Sequence, residues 1–280
     1  MTRNNWDHPD TRELIALALR EDIGGGDVTT EQCVSRGRKA SGRFYARQDV
    51  TLAGIELLPI IYELHGGGVD VEMLAASGDL VEDGRIVARV TGSARILLEC
   101  ERTALNFVQR LSGVATLARK YVDAVANTSC RVLDTRKTTP GFRRLEKLAT
   151  AAAGVTNHRM ALWDSVLIKN NHITAAGGIG PALACFKGSQ LPVEIEVRSH
   201  EELVEALEAG ARHVLLDNFT PKKAAEEVRF IAGRAKVELS GNIDLNTIRA
   251  YAETGADFVS CGAMTHQAQA VNFNFRIDLD

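Results

Sequence analysis

The run Asp134-Thr135-Arg136-Lys137-Thr138-Thr139-Pro140-Gly141 is followed by Asn157-His158-Arg159 and then by Lys169. Guanidinium and ammonium groups gathered this way suit a substrate rich in carboxylates, phosphates or both. Each cationic cluster also lies where an apolar run ends, and strands of an α/β barrel deliver functional side chains to one face in this manner. Lys169 ends Val166-Leu167-Ile168. It could form a Schiff base if desolvated, or act as a plain cation for an anion. His158 could donate a proton or only a hydrogen bond.

Later runs end on acids and glycine turns. Glu196 and Asp217 close two successive apolar runs, and Glu194 lies two residues before Glu196 on the same side of its strand. A carboxylate pair near cations can hold Mg²⁺ and sugar hydroxyls, or can simply pair with Lys169. The turns Ser240-Gly241-Asn242-Ile243-Asp244 and Cys261-Gly262-Ala263 each precede a helical stretch. Backbone N–H groups there could bind phosphate, glycine permitting close approach. The plainer alternative makes Gly241 a turn residue and Asp244 an N-cap. Arg102, in Glu99-Cys100-Glu101-Arg102-Thr103, reads from the residues alone as a solvated surface arginine.

The elements that must position these groups follow from periodicity. Residues 11–20 form an amphipathic helix, broken by Gly24-Gly25-Gly26, which read as a C-cap and turn rather than a phosphate loop. Short strand patterns at 42–47, 69–74 and 86–90 build a small α+β module, and a helix over 95–111 continues past Gly113 into a further helical stretch ending near Ala126. After Cys130 strands alternate with helices. The strands are expected at 131–137, 165–169, 193–197, 213–217, 236–240 and 258–262, the helices at 143–153, 172–186, 201–209, 221–232 and 245–253. Such units make parallel strands, in an incomplete or distorted barrel or, alternatively, an open doubly wound sheet. The tail 271–279 alternates weakly, as a strand returning to the first module would.

Composition narrows the classes. The chain has 280 residues, a net charge of −3 and 45% hydrophobic residues, an ordinary balance for a soluble globular protein and a poor one for nucleic-acid binding. No apolar run reaches membrane-spanning length, and the polar N-terminus does not read as a secretory signal. Five scattered cysteines without C-x-x-C spacing suggest reduced thiols in the cytoplasm.

With these motifs in view, the whole chain resembles the quinolinate phosphoribosyltransferases, or carboxylating nicotinate-nucleotide pyrophosphorylases. The resemblance is carried by Glu21-Asp22-Ile23-Gly24, Gly26-Asp27, Glu101-Arg102-Thr103-Ala104-Leu105-Asn106, Leu111-Ser112-Gly113, Asp134 to Gly141, Asn157-His158-Arg159, Leu167-Ile168-Lys169, Asn171-His172-Ile173, Glu194-Ile195-Glu196-Val197, Leu216-Asp217-Asn218, Ser240-Gly241-Asn242-Ile243 and Gly262-Ala263.

It implies an N-terminal α/β sandwich module, residues 1–112 with the tail 271–280 returning to it, and an incomplete α/β barrel of six or seven strands, residues 113–270, carrying the active site. The implied reaction joins quinolinate to phosphoribosyl pyrophosphate. By this resemblance Lys137, Lys169, Glu196 and Asp217 are catalytic. Thr135, Arg136, His158 and Arg159 form the dicarboxylate pocket, completed by Arg102 across a homodimer. The phosphoribosyl and phosphate groups fall to Lys137, Lys169, Asn218, Ser240, Gly241, Asn242, Cys261, Gly262, Ala263 and His266. Mg²⁺ is carried mainly by the pyrophosphate, with Glu196 and Asp217 as the protein carboxylates in reach. Ala152, Ala153, Ala161, Asn170 and Asn272 depart from residues frequent in the family, and Asn170 removes a carboxylate beside Lys169. Rival readings are a phosphoribosyltransferase for another carboxylated heterocycle, a Schiff-base lyase using Lys169, and a non-catalytic binding protein.

Overall fold

The computed structural model describes residues 5–278, so Met1 to Asn4, Leu279 and Asp280 of the expected N-terminal and tail segments lie outside the described residues. The chain divides into two compact units. One gathers the described residues up to Arg119 with Thr138–Gly154 and those from Met264 onward; the other comprises Lys120–Lys137 and Val155–Ala263. The segment Thr138–Gly154, placed in the barrel by the sequence division, thus groups with the first unit.

The first unit contains strands β1 (Lys39–Ala46), β2 (Val50–Thr51), β3 (Asp70–Met73), β4 (Leu80–Val81) and β5 (Ile86–Ser93). Its main sheet is antiparallel, in the order tail strand Phe273–Asp278, β1, β5, β3. Alternation in β1 buries Ala40, Phe44 and Ala46 and leaves the intervening residues in part to solvent. Phe44 and Phe275 pack across the strand pair with ring centroids 4.7 Å apart.

The first helix, Pro9–Ile23, carries its proline at the N-terminal end, where a missing N–H costs nothing. It stops at Gly24 with φ 53°, and Asp27 then caps the short helix Val28–Cys33 through the N–H groups of Thr29 and Thr30. The glycine run therefore ends one helix and precedes the cap of the next. The helix Leu57–Leu64 has no counterpart among the expected elements. Leu57, Leu58, Ile60, Ile61 and Tyr62 are all buried, and the helix is only two turns long with Pro59 inside it, so its sequence does not announce a helix. The helical stretch around Gly113 is one helix, Ala94–Ala124, without a break. A Cβ on Gly113 would lie 2.0 Å from the Gln269 carbonyl oxygen, so this glycine serves the close approach of another chain segment.

The second unit has six parallel strands: β6 (Arg131–Leu133), β7 (Val166–Ile168), β8 (Val193–Val197), β9 (His213–Asp217), β10 (Lys236–Ser240) and β11 (Phe258–Ser260). Their order is β6-β11-β10-β9-β8-β7. The first strand in sequence pairs with the last, and every other neighbour is consecutive. A doubly wound sheet reverses direction from an interior strand, which this order does not do. The strands therefore curl into an incomplete α/β barrel whose seam lies between β6 and β7. A short bridge from Leu133 to Thr156 extends pairing beyond β6.

Ile195, Val197, Val214, Leu216, Val237 and Leu239 are buried on one face of β8–β10. Their alternates Glu194, Glu196, His213, Asp217, Glu238 and Ser240 share the other face. Ser199 and Thr220 cap the helices His200–Glu208 and Pro221–Ile231. The helix expected at 172–186 is split at Gly177 and Gly178, with φ 86° and 139°, into Asn170–Ala176 and Ile179–Ala184. The helix expected at 245–253 shrinks to Ile248–Ala252, because the Asp244 carboxylate holds the N–H groups of Asn246 and Thr247 in a turn. Among the described residues no helix is long and apolar enough to cross a membrane.

Candidate active site

β6 stops at Leu133, two residues before the expected cations, and a hydrogen-bonded turn takes over. Asp134 is fully buried; its carboxylate accepts from Asn157 Nδ2 at 2.6 Å and from the His158 N–H at 2.8 Å. This one acid ties the Asp134–Lys137 segment to Asn157-His158-Arg159. Thr135 Oγ1 accepts from the Lys137 N–H at 3.0 Å, leaving the Lys137 side chain exposed.

Arg159 is largely buried and donates through Nη1 to the Ser165 carbonyl at 2.9 Å. Its pKa falls below the usual guanidinium range, first through burial and then through repulsion from Arg136. Arg136 and Arg159 lie in the two turns that the Asp134 carboxylate joins. Lys169 caps the helix that follows β7, and its Nζ lies 3.7 Å from Glu196 Oε2. The lysine side chain is 52% exposed and Glu196 13%, so the pair adds little to stability. The exposure and the acid partner also differ from the apolar pocket that a Schiff-base lysine needs.

Asp217, at the end of β9, accepts from Ser240 Oγ at 2.8 Å and from Asn218 Nδ2 at 2.7 Å. Asn218 and Asn242 adopt left-handed φ angles of 61° and 52°, and Asn242 Nδ2 lies 3.4 Å from Asn218 Oδ1. Gly241 has φ 105°, and a Cβ there would come within 2.3 Å of Asn218 Oδ1. Glycine is thus required by Asn218's approach, and two neighbouring strand ends form one tight turn surface. Cys261 is buried; its N–H donates to the Leu133 carbonyl at 3.0 Å and its thiol to the Ile243 carbonyl at 3.1 Å. Its donors are committed inside the unit. Arg102 and His266 are exposed residues of the first unit.

Beneath these strand ends lies a cluster of which only Glu194 and His158 were singled out in the sequence. Glu194 and Glu238 are 4% and 1% exposed in their side chains. His158 Nε2 is 3.2 Å from Glu194 Oε2 and 3.5 Å from Glu238 Oε2, and His213 Nε2 is 3.2 Å from Glu194 Oε1. Burial pushes both glutamates well above the carboxylate range, and for Glu238 the neighbouring Glu194 adds to it. Burial is the largest cause that lowers His213 to about 4. The signal that could have found the cluster is the inward alternation of β9 and β10, where His213 and Glu238 keep company with Asp217 and Ser240.

His158 Nε2 and oxygens of Glu194 and Glu238 lie within 4.8 Å of one another, a spacing a metal ion could bridge. However, His158 Nδ1 accepts the Arg159 N–H at 2.7 Å. A neutral imidazole that accepts at Nδ1 carries its proton on Nε2, where a metal would need a lone pair.

An α/β barrel with cations, paired acids and tight glycine turns at the C-terminal ends of its strands defines an enzyme for a phosphorylated, anionic substrate. The chain matches the family described as quinolinate phosphoribosyl transferase, N-terminal domain over residues 27–112 and C-terminal domain over 114–276. It is 37% identical over 297 aligned residues to quinolinate phosphoribosyltransferase [decarboxylating] 2, mitochondrial, of Nicotiana glauca, covering 98% of this chain and 84% of that protein. It is 34% identical to a probable nicotinate-nucleotide pyrophosphorylase [carboxylating] of Bacillus subtilis, covering 97% of this chain and 95% of that protein. The crystal structure of NadC from Streptococcus pyogenes superposes with a TM-score of 0.91 at 35% identity, covering 95% of this chain and 96% of that one. This chain belongs to the quinolinate phosphoribosyltransferase family.

Proposed function

We propose that this protein is a decarboxylating phosphoribosyltransferase of NAD biosynthesis, converting quinolinate and phosphoribosyl pyrophosphate to nicotinate mononucleotide, pyrophosphate and CO₂. The observation that carries this reading is the joining, by the Asp134 carboxylate, of the turn bearing Arg136 to the turn bearing Arg159, in the unit that also holds the Lys169–Glu196 pair. It supplies a receptor for two adjacent carboxylates together with acids for an electron-poor sugar.

In this reading Arg136, Arg159 and Thr135 bind the dicarboxylate, with His158 beside them and Arg102 entering from the other subunit of a homodimer. Lys137 and Lys169 face the pyrophosphate and the substrate's negative charge. Asn218, the Ser240-Gly241-Asn242 turn, the Gly262-Ala263 turn and His266 receive the phosphoribosyl group. As the bond from the anomeric carbon to pyrophosphate breaks, positive charge grows on the ribose ring. Glu196 and Asp217 stabilise it, and the lysines stabilise the leaving group. The pyridine nitrogen then bonds to the anomeric carbon. The resulting pyridinium takes the electron pair of the C2–carboxylate bond, CO₂ departs, and C2 picks up a proton.

Both Asp217 oxygens accept hydrogen bonds and Glu196 faces Lys169. These acids fit a magnesium ion that arrives on pyrophosphate better than a protein cage of their own. When bound, the ion supplies countercharge to the departing pyrophosphate. No disulfide joins the cysteines among the described residues, which suits a reducing cytoplasm.

Incubation with phosphoribosyl pyrophosphate, Mg²⁺ and a panel of pyridine acids tests the reaction. Quinolinate should be the acid consumed; turnover of nicotinate or another heterocycle in its place would overturn the assignment. Mixing unfolded Arg102→Ala and Lys137→Ala chains and refolding them tests the shared site. Activity should reappear in mixed dimers, and a mixture as inactive as its parents would refute the sharing.

A further inference from the structure

The helix Ala94–Ala124 carries Arg110 about two turns beyond Arg102, and the Arg110 guanidinium reaches two other stretches of chain. Nη1 donates to the Ala268 carbonyl; Nη2 donates to the Thr265 carbonyl at 2.9 Å and to Glu146 Oε1 at 2.7 Å. Glu146, on the helix Arg143–Ala152, has no exposed surface. Its Oε1 also accepts from Thr139 Oγ1 at 2.9 Å, and its Oε2 accepts from the Thr139 N–H at 3.0 Å. From the same helix Arg143 Nε donates to Thr138 Oγ1 at 3.0 Å. Further along the long helix, the close approach of Gly113 to the Gln269 carbonyl fastens the chain just beyond Ala268. All these residues belong to the first unit.

We propose that Arg110 and Glu146 are a positioning pair for phosphoribosyl pyrophosphate: together they fix the main chain beside Lys137 and beside His266, and neither touches the substrate. This rests on the reading of Lys137 and His266 as ligands of that substrate. Thr139 follows Lys137 by two residues, and Thr265 directly precedes His266. Both ligand side chains are exposed, so their placement depends on the main chain that bears them. A carboxylate out of water needs partners for both oxygens, and Arg110 and Thr139 supply them. An apolar pair could fill the same space at no loss of stability. It would offer neither the donors that hold the Thr265 and Ala268 carbonyls nor the acceptors that hold Thr139. The pair thus gives the crossing of Thr138–Gly154 into the first unit a task. Arg136 and Arg159 are set by a different acid, Asp134, in the barrel. Quinolinate affinity is therefore independent of Arg110 and Glu146.

Quinolinate Kd by calorimetry, read beside kcat and the KM of each substrate, tests the proposal. Glu146→Gln keeps the shape but withdraws the charged acceptor from Arg110 and Thr139. It should raise the KM for phosphoribosyl pyrophosphate roughly tenfold and leave quinolinate Kd within about twofold of native. Thr139→Ala, at an exposed position, removes the hydroxyl contact alone. It should raise the same KM about threefold with a native melting temperature, and it decides the matter if Glu146→Gln does not fold. In the double variant the two losses should overlap rather than multiply, since both remove one contact. A native KM for phosphoribosyl pyrophosphate in either folded variant, equal losses for both substrates, or full additivity in the double variant would end the proposal. Failure of the native protein to convert quinolinate with phosphoribosyl pyrophosphate would instead sink the functional reading beneath it.

Discussion

The two units use the alternation of a strand in opposite senses. In the first, β1 turns Ala40, Phe44 and Ala46 into an apolar core and its other side chains outward. In the barrel, the apolar alternates Ile195, Val197, Val214, Leu216, Val237 and Leu239 form one buried face, and the acids, histidine and serine form the other. The sheet of the first unit has an apolar interior, although the Thr138–Gly154 segment of that unit buries Glu146 and Lys147. The barrel strands enclose acids and a histidine that burial penalises, and such groups persist where binding or catalysis uses them. Substitutions in the two units should therefore separate stability from chemistry.

The largest effect should come from the barrel's functional end. Glu196→Gln, isosteric and partly solvated, should lower kcat by roughly a thousandfold while its melting temperature stays close to native. A comparable loss of stability would mean that the inner acids are structural after all. Next, Phe44→Ala in the first unit should cost about 3–5 kcal/mol in denaturant unfolding, with near-native kcat per folded molecule. Equal damage to kcat would blur the division.

A smaller effect should appear with pH. His213 is lowered to about 4, chiefly by burial, and Glu194, itself driven toward its neutral form, offers it little countercharge. Between the unfolded value of 6.5 and about 4, the unfolded chain binds more protons than the folded one. Stability should thus fall as pH drops through that window and level off below it. His213→Gln should remove on the order of 2 kcal/mol of this acid-side loss in urea titrations. Parallel curves for the two proteins would show that His213 does not set it.

Much of this architecture was legible in the sequence, for identifiable reasons. Strands β8, β9 and β10 begin and end where hydropathy places them, because each run is short, β-rich and closed by a polar residue. The strand ends thereby disclosed Lys169, Glu196, Asp217 and Ser240. The helix Leu57–Leu64 was hidden because it is short and carries Pro59 within its first turn. The helical pattern was legible across Gly113, but that this glycine serves a close approach at Gln269 was not. Glu238 and His213 escaped notice because the alternation that puts them on one inner face with Asp217 and Ser240 was read only at the strand ends. The crossing of Thr138–Gly154 into the first unit likewise depends on tertiary contacts alone.

The account turns on a receptor of paired guanidiniums that delivers quinolinate to an activated pentose and then lets its C2 carboxylate go. Quinolinate labelled in that carboxylate measures this directly. One labelled CO₂ should be released for each pyrophosphate formed, with none released when phosphoribosyl pyrophosphate is omitted. Label retained in the nucleotide product, or CO₂ released without the sugar donor, would contradict it.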